Sequence, residues 1–201
     1  YSFHRNDTAE RKVNLENLLD ILPISAKIFH VGSLGLIEGQ DAEVWEKFFK
    51  ICKQKGLITS LDPNVRPILI QDRKNYIKRL ERMFFDVDIL KLSNEDLQWI
   101  YPSKSLDQSF EILQSKTKAQ LLILTLGEEG SIGKTSNFEV KISSKKISDL
   151  RDTVGAGDTY MASILNWFVD HKIYNINLVK NLKKPDLSSM MDKASIASAL
   201  N

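Results

Sequence analysis

Residues 44–61 read VWEKFFKICKQKGLITSL, and this stretch contains the pattern that decides the fold. In its first part apolar side chains recur at helical spacing, at Val44, Trp45, Phe48, Phe49 and Cys52. That spacing predicts a helix, and Gly56 is typical of the position just past a helix C-terminus. Residues 57–61 are dense in Leu and Ile and have the length of a buried strand. A helix followed at once by a buried strand is the repeating unit of an α/β fold.

The same alternation continues in both directions along the chain. Further apolar runs of strand length occupy residues 26–32, 87–92 and 121–126. Helices are predicted over residues 72–85, 94–101, 106–114, 157–170 and 190–200. Residues 131–147 alternate Ile, Phe and Val with polar residues, which predicts antiparallel strands at one sheet edge. We therefore expect an α/β fold with a largely parallel sheet covered by helices on both faces.

Composition and charge exclude several classes of protein. The chain has 201 residues, 42% of them hydrophobic, which suits one ordinary globular domain or most of a larger one. Its 28 basic and 26 acidic residues leave a net charge of +2, which disfavours nucleic acid or an anionic membrane as partner. No apolar run approaches the ~18 residues of a membrane helix. The single cysteine, Cys52, is expected to be a core thiol, which fits the reducing cytoplasm.

The segment DTVGAGD, residues 152–158, leads directly into a predicted helix. Its glycines let the backbone turn sharply, so that amides of the helix N-terminus point outward and suit a phosphate group. Asp158 in the first turn is a candidate general base that takes a proton from an alcohol as it attacks a phosphoryl group. The alternative is that Asp158 only complements the helix dipole.

This segment resembles the seven-residue signature of the ribokinase-like carbohydrate kinases, the phosphofructokinase-B family. Three more segments follow in the family's order: DPNVRP at 62–67, KLSNEDL at 91–97 and TLGEEG at 125–130. The first two are most similar to the bacterial fructokinases. The resemblance implies a ribokinase-like three-layer α/β/α fold and ATP-dependent phosphorylation of a sugar hydroxyl, with fructose becoming fructose 6-phosphate. Ribose and 2-keto-3-deoxygluconate remain alternative substrates. A binding protein without catalysis remains an alternative function.

The resemblance also implies roles for individual residues. The catalytic group would be Asp158 with the amides of Gly155, Ala156 and Gly157. ATP would be held by Thr125, Gly127, Gly130, Lys91 and Ser93, and the sugar by Arg5, Asn64, Arg66 and Asp158. Metal ions would lie at Asp96 and Glu95 for Mg²⁺, and at carbonyls of Asp152 and Val154 for a monovalent cation, K⁺.

The segment at 91–97 departs from the ribokinase pattern of Asn and Glu three residues apart. It has Ser93 and Asp96 at the corresponding positions, so which carboxylate places Mg²⁺ stays open. The alternative is that Ser93 or Asn94 caps a helix whose first turn contains acidic residues.

The beginning of the chain, YSFHRNDTA, resembles the lid strand of the fructokinases and the turn after it. We therefore assign residues 1–13 to a partial lid and residues 14–201 to the kinase core. Relative to the family, the chain is expected to lack segments at both ends, and the complete lid would form a homodimer contact. The expected partners are a sugar and ATP.

A P-loop is the competing interpretation of residues 127–135, which read GEEGSIGKT. Five residues rather than four separate Gly127 from Gly133, and the residues after Thr135 alternate as a strand does. Both features disfavour a P-loop.

Overall fold

A six-stranded sheet whose strands lie in chain order forms the centre of the molecule. The computed structural model describes residues 8–145 and 154–200. Neighbouring strands are parallel from β1 through β4 and antiparallel from β4 to β6. The strands are β1 (Ile28–Gly32), β2 (Ile58–Asp62), β3 (Ile89–Ser93), β4 (Leu121–Thr125), β5 (Ser131–Lys134) and β6 (Glu139–Ile142). The predicted parallel sheet with an antiparallel edge is confirmed.

Helices connect and cover the strands. They are α1 (Leu15–Ile21), α2 (Gly39–Gln54), α3 (Arg73–Asp86), α4 (Asn94–Ile100), α5 (Leu106–Lys116), α6 (Ala156–Asp170), α7 (Ile176–Lys180) and α8 (Lys184–Ala199). The predicted start of the last helix at residue 190 is wrong, because α8 already begins at Lys184, with a proline in its first turn. Proline is tolerated there because the first-turn amides have no partner within the helix.

Alternate residues of the strands pack into two separate cores, one on each face of the sheet. On one face Leu90, Leu92 and Leu124 pack with the apolar sides of α2 to α5. On the other face Ile89 and Ile123 pack with α6 and α8. Successive side chains of a strand point to opposite faces, so strands buried on both faces are rich in apolar residues. The expected three-layer α/β/α arrangement is confirmed.

The predicted lid segment lies only partly within the described residues. Residues 1–7, which include Arg5, are outside them. Ala9–Lys12 form a turn of 3-10 helix, so a lid strand does not extend into this part of the segment. Arg11 pairs with Asp41 near the start of α2, with 3.3 Å between Nε and Oδ1.

Among the residues described, no helix combines the length and the apolar character needed to cross a membrane.

Candidate active site

Two adjacent cavities open at the carboxyl ends of the parallel strands, on either side of the N-terminus of α6. The first has a volume of about 480 Å³, and its lining includes His30, Ser33, Asp41, Asp62, Asn64 and Asp158. The second, of about 400 Å³, is lined in part by Lys91, Ser93, Thr125, Gly130, Ala156 and Gly157. Ligands of open α/β sheets bind at this edge, because the loops that follow the strands converge there.

The N-terminus of α6 separates the two cavities. Gly155 is the N-cap in the left-handed region, with a φ of 81° that glycine adopts without strain. The amides of the first turn have no partner within the helix and carry partial positive charge. Asp158 lies in this turn and lines the first cavity, whereas Ala156 and Gly157 line the second. The structure therefore places the four predicted catalytic residues together, at the boundary between the cavities.

Asn64 reaches this boundary from the loop after β2, whereas Arg66 lines neither cavity and contacts Asn64. The Arg66 guanidinium donates from Nη1 to Asn64 Oδ1, 2.5 Å away, and to the Asn64 carbonyl oxygen, 3.1 Å away. Since Asn64 Oδ1 accepts this bond, its Nδ2 is the atom that donates to Asp158 Oδ1, at 3.4 Å. The backbone of Asn64 has a φ of 41°, in the left-handed region where asparagine is among the best-tolerated residues after glycine.

Asp62 and Lys91 form a buried ion pair below these groups. Lys91 Nζ donates to Asp62 Oδ2 over 2.7 Å, and each side chain is only 4% exposed. Burial raises the pKa of the Asp62 carboxyl to about 6, while the Lys91 ammonium opposes this rise. No role of Asp62 was predicted from the sequence, although an aspartate that ends an apolar strand is a signal for this edge of the sheet.

Ser93 and Asp96 cap the N-terminus of α4. Ser93 Oγ accepts from the Asp96 amide and Asp96 Oδ2 from the Ser93 amide, at 3.1 and 2.9 Å, which forms a capping box. Asp96 Oδ1 accepts from the Val65 amide at 2.7 Å. The helix-cap alternative left open by the sequence is thus present, and both Asp96 oxygens already serve backbone amides.

The buried position of Asp96 does not favour direct contact with a metal ion, whereas Glu95 lines the second cavity. Among the described residues no three His, Cys, Asp or Glu side chains are arranged to hold a metal. Magnesium at a nucleotide is usually held by phosphates, water and one or two carboxylates, so Glu95 fits that role better than Asp96. Asp152 lies outside the described residues, and a monovalent cation at its carbonyl and that of Val154 stays a prediction.

The loop after β4 brings backbone close to the second cavity. Gly127 and Gly130 have φ angles of 58° and 103°. A Cβ at residue 130 would lie 2.0 Å from the carbonyl oxygen of Ile142, so no larger residue fits there. Ser195 and Ser198 of α8 complete the wall of this cavity, and Ser198 Oγ donates to the Ala156 carbonyl at 2.9 Å. The sequence contained no signal for the two serines, because only packing of α8 on α6 brings them here.

The P-loop interpretation is wrong. Residues 131–134 form strand β5, and a second strand, β6, follows instead of a helix. Lys134 Nζ donates to Gln114 Oε1 over 2.7 Å and does not line either cavity.

His30 of β1 is an exposed residue that lines the first cavity. Its Nδ1 lies 3.0 Å from Ser60 Oγ on the neighbouring strand. Desolvation by the surrounding protein lowers the pKa of His30; the negative charge of Asp158 opposes this shift and the positive charge of Lys91 adds to it. The pKa of His30 therefore responds to the charges of Asp158 and Lys91.

Comparison with known proteins identifies a single family. A model described as pfkB family carbohydrate kinase matches residues 2–181. The chain is 34% identical over 168 residues to a fructokinase of Rhizobium leguminosarum bv. trifolii, covering 82% of this chain and 49% of that protein. It is 31% identical over 170 residues to probable fructokinase-2 of Arabidopsis thaliana, covering 85% and 51%. The chain thus spans about half the length of these curated relatives.

Solved structures share the fold. A fructokinase from Xylella fastidiosa with bound ATP superposes with a TM-score of 0.84 at 23% identity, covering 99% of this chain and 62% of that one. Aminoimidazole riboside kinase from Salmonella enterica gives a TM-score of 0.80 at 18% identity, covering 100% and 64%. A double mutant of Vibrio cholerae O395 fructokinase bound to fructose, ADP and potassium ion gives 0.75 at 22% identity, covering 91% and 56%.

Proposed function

The chain belongs to the pfkB family of carbohydrate kinases, and from that premise we propose that it forms part of an ATP-dependent kinase that phosphorylates fructose. The observation that carries the proposal is the position of Asp158, in the first turn of α6 between two cavities. A kinase needs one space for the alcohol and one for the nucleotide, with a base and an anion-stabilising group where they meet.

In the proposed reaction the first cavity binds the sugar and the second binds ATP. Asp158 takes the proton of a primary sugar hydroxyl as the oxygen attacks the γ-phosphoryl group. A bond forms between that oxygen and the γ-phosphorus, the bond from phosphorus to the β–γ bridging oxygen breaks, and ADP leaves. The Asn64 amide, 3.4 Å away, donates to the Asp158 carboxylate and thereby orients it toward the sugar.

Charge that develops on the transferred group is stabilised from the other side. The amides of Gly155, Ala156 and Gly157 at the N-terminus of α6 supply this stabilisation in the proposal, and they need not reorganise during the reaction. Lys91 adds a positive charge from β3. Glu95 would be the side chain placed to hold Mg²⁺, which when bound would neutralise charge on the ATP phosphates.

We also propose contacts of individual residues with the nucleotide, the sugar and a monovalent cation. Thr125, Gly127, Gly130 and Ser93 contact the nucleotide, and Arg5, Asn64 and Arg66 contact the sugar or the transferred phosphate. K⁺ binds near the carbonyls of Asp152 and Val154, and the complete lid forms a homodimer contact. The buried free thiol of Cys52 suits a protein of the reducing cytoplasm.

The test is a coupled assay of sugar phosphorylation with Mg-ATP and K⁺. Fructose, ribose and 2-keto-3-deoxygluconate are compared, using both this 201-residue chain and the longest reading frame that encodes it. Preferential phosphorylation of fructose supports the proposal. Preference for another sugar corrects the substrate, and ATP binding without turnover on any sugar favours a binding protein without catalysis.

A further inference from the structure

We propose that Asp62 is a positioning residue for phosphoryl transfer, which holds the Lys91 ammonium against the first turn of α6. The inference deepens the proposed function and rests on it. It assigns a role to a carboxylate outside the proposed set of reacting and binding groups.

The two side chains meet because their strands are neighbours in register. Leu61 of β2 lies opposite Leu90 of β3, so the next residues, Asp62 and Lys91, follow side by side. Asp62 ends β2 at the edge of the sheet where both cavities open. Both residues are almost fully buried, 4% and 3% exposed, so their interaction is weakly screened by solvent.

Gly157 shows how close the ammonium lies to α6. A Cβ at this position would be 3.1 Å from Lys91 Nζ, a distance that leaves little more than the room a glycine hydrogen needs. A lysine ammonium against a helix N-terminus is an unfavourable pairing, because both carry positive charge. Two positive groups directed at one point favour an anion there, and the second cavity opens at this point.

Asp62 offsets the repulsion between the Lys91 ammonium and the N-terminus of α6 while no anion is bound. Its Oδ2 accepts from Lys91, and its buried Oδ1 has no hydrogen-bond partner among the described residues. The carboxylate is thus committed to the ammonium, and it offsets the positive charge in the ground state. A buried ion pair often contributes little net stability, so a positioning role explains its location better than stability does.

The pair also spans the boundary between the cavities. Asp62 lines the first cavity together with Asp158, and Lys91 lines the second together with Ala156 and Gly157. The negative member faces the proposed sugar side and the positive member the proposed nucleotide side. The ammonium is consequently placed where the γ-phosphoryl group of ATP would be transferred.

Removal of Asp62 should have the same effect as removal of the lysine charge. A buried ammonium without its counter-ion is unfavourable and moves toward solvent, so the positive charge leaves the site. The variants Asp62→Asn and Lys91→Met should therefore each lower kcat roughly a hundredfold, the usual effect of losing one group that stabilises the transition state. The KM for fructose should change less than about threefold. The double variant should be no worse than Lys91→Met alone, because both changes remove the same interaction.

A matched control exists at the opposite end of the same strands. Asp88 precedes β3, is 2% exposed, and pairs with Lys53 far from both cavities. Asp88→Asn removes a buried ion pair of similar kind, so it reports the cost of such a loss to folding alone. We expect it to leave kcat and KM within about twofold of the unsubstituted protein.

The inference and the proposed function fail in different ways. If the unsubstituted protein phosphorylates a sugar and Asp62→Asn keeps its kcat, the inference is overturned and the function stands. Losses that multiply in the double variant, or an equal loss in Asp88→Asn, also overturn it.

A binding measurement without sugar decides the question even if no sugar is phosphorylated. Affinities for ATP and ADP are measured by calorimetry, because only ATP carries the γ-phosphate that Lys91 would meet. If Asp62 positions Lys91, ATP should bind more tightly than ADP. Asp62→Asn and Lys91→Met should then reduce that preference about equally. An unchanged preference in Asp62→Asn overturns the inference.

Discussion

Asn64 Nδ2 lies 3.4 Å from Asp158 Oδ1, although 94 positions separate the two residues in the chain. Asn64 lies in the loop that follows β2, and Asp158 lies in the first turn of α6. The contact therefore joins this loop to the N-terminus of α6. The amide oxygen of Asn64 is held by Arg66, which leaves the amide N–H to face the carboxylate.

Replacing Asn64 with Asp places a second carboxylate next to Asp158. Two carboxylates side by side oppose each other's ionisation. The acidic limb of the pH profile of kcat/KM should move to higher pH in Asn64→Asp. Asn137→Asp, in the exposed turn between β5 and β6, is the matched control and should leave the profile in place. An unshifted profile in Asn64→Asp would show that the two groups are not coupled.

Asp158→Asn removes the proposed base and keeps the shape of the side chain. Turnover should fall roughly 10²- to 10⁴-fold, the contribution typical of general base catalysis. The affinity for ATP, measured by calorimetry, should change little. Asp170→Asn, at the far end of the same helix, should retain full turnover. Equal turnover in Asp158→Asn would exclude the proposed role.

The charge of Asp158 should also be detectable through His30. The pKa of His30 is held below its usual value of 6.5, chiefly by desolvation, and Asp158 opposes that shift. An imidazole titration followed by NMR should therefore give a midpoint below 6.5 for His30. In Asp158→Asn the midpoint should move lower still, because the opposing negative charge is gone. His30→Gln identifies the resonance, and a rise of the midpoint in Asp158→Asn would contradict the geometry of the cavity.

Gly133 of β5 allows α8 to pack closely on the sheet. A Cβ at this position would lie 2.2 Å from Met191 Sδ and 3.0 Å from its Cε. Gly133→Ala should therefore destabilise the chain by about 1 to 3 kcal/mol through overpacking. Urea unfolding of Gly133→Ala, Met191→Ala and the double variant measures this effect. The two losses should be less than additive, because truncation of Met191 makes room for the new methyl group; simple additivity would exclude this explanation.

Lys134 should be dispensable for ATP binding and turnover. It lies on β5 and donates to Gln114, with no contribution to either cavity at the strand ends. Lys134→Met should keep both quantities within about twofold, as expected of a surface substitution. A loss of ATP affinity comparable to that of a P-loop lysine variant would contradict this prediction. It would support the P-loop interpretation of residues 127–135, which the strand β5 excludes.

Much of the fold could be predicted from the sequence, because both faces of the sheet are covered. Strands buried on two sides are rich in apolar residues, so the runs at 57–61 and 121–126 identify β2 and β4 to within a residue. The short helices α1 and α7 were not predicted. They have 7 and 5 residues, and their main local signals are the caps Asn14 and Asn175. Periodicity needs more turns than these to stand out.

Some residues of the candidate site could likewise be predicted from the sequence, and others could not. Residues 152–158 and 62–67 could be singled out because glycines and polar residues follow directly after a strand or before a helix. His30 and Ser198 could not be assigned to the site, because each acquires its surroundings from elements distant in the chain. Ser93 and Asp96 show the opposite case, in which a predicted ligand pair is held in a local helix cap.

The sequence by itself determined which segments become buried strands and which become the longer helices, and it singled out residues 152–158 as a candidate anion site. These properties depend on local patterns, namely apolar spacing, caps and glycines with left-handed backbone. Only the tertiary structure decided that Asp62 pairs with Lys91, that Asn64 meets Asp158, and that α6 stands between two cavities. Such contacts depend on strand register and on the packing of layers, because a parallel crossover brings together residues that no local pattern relates.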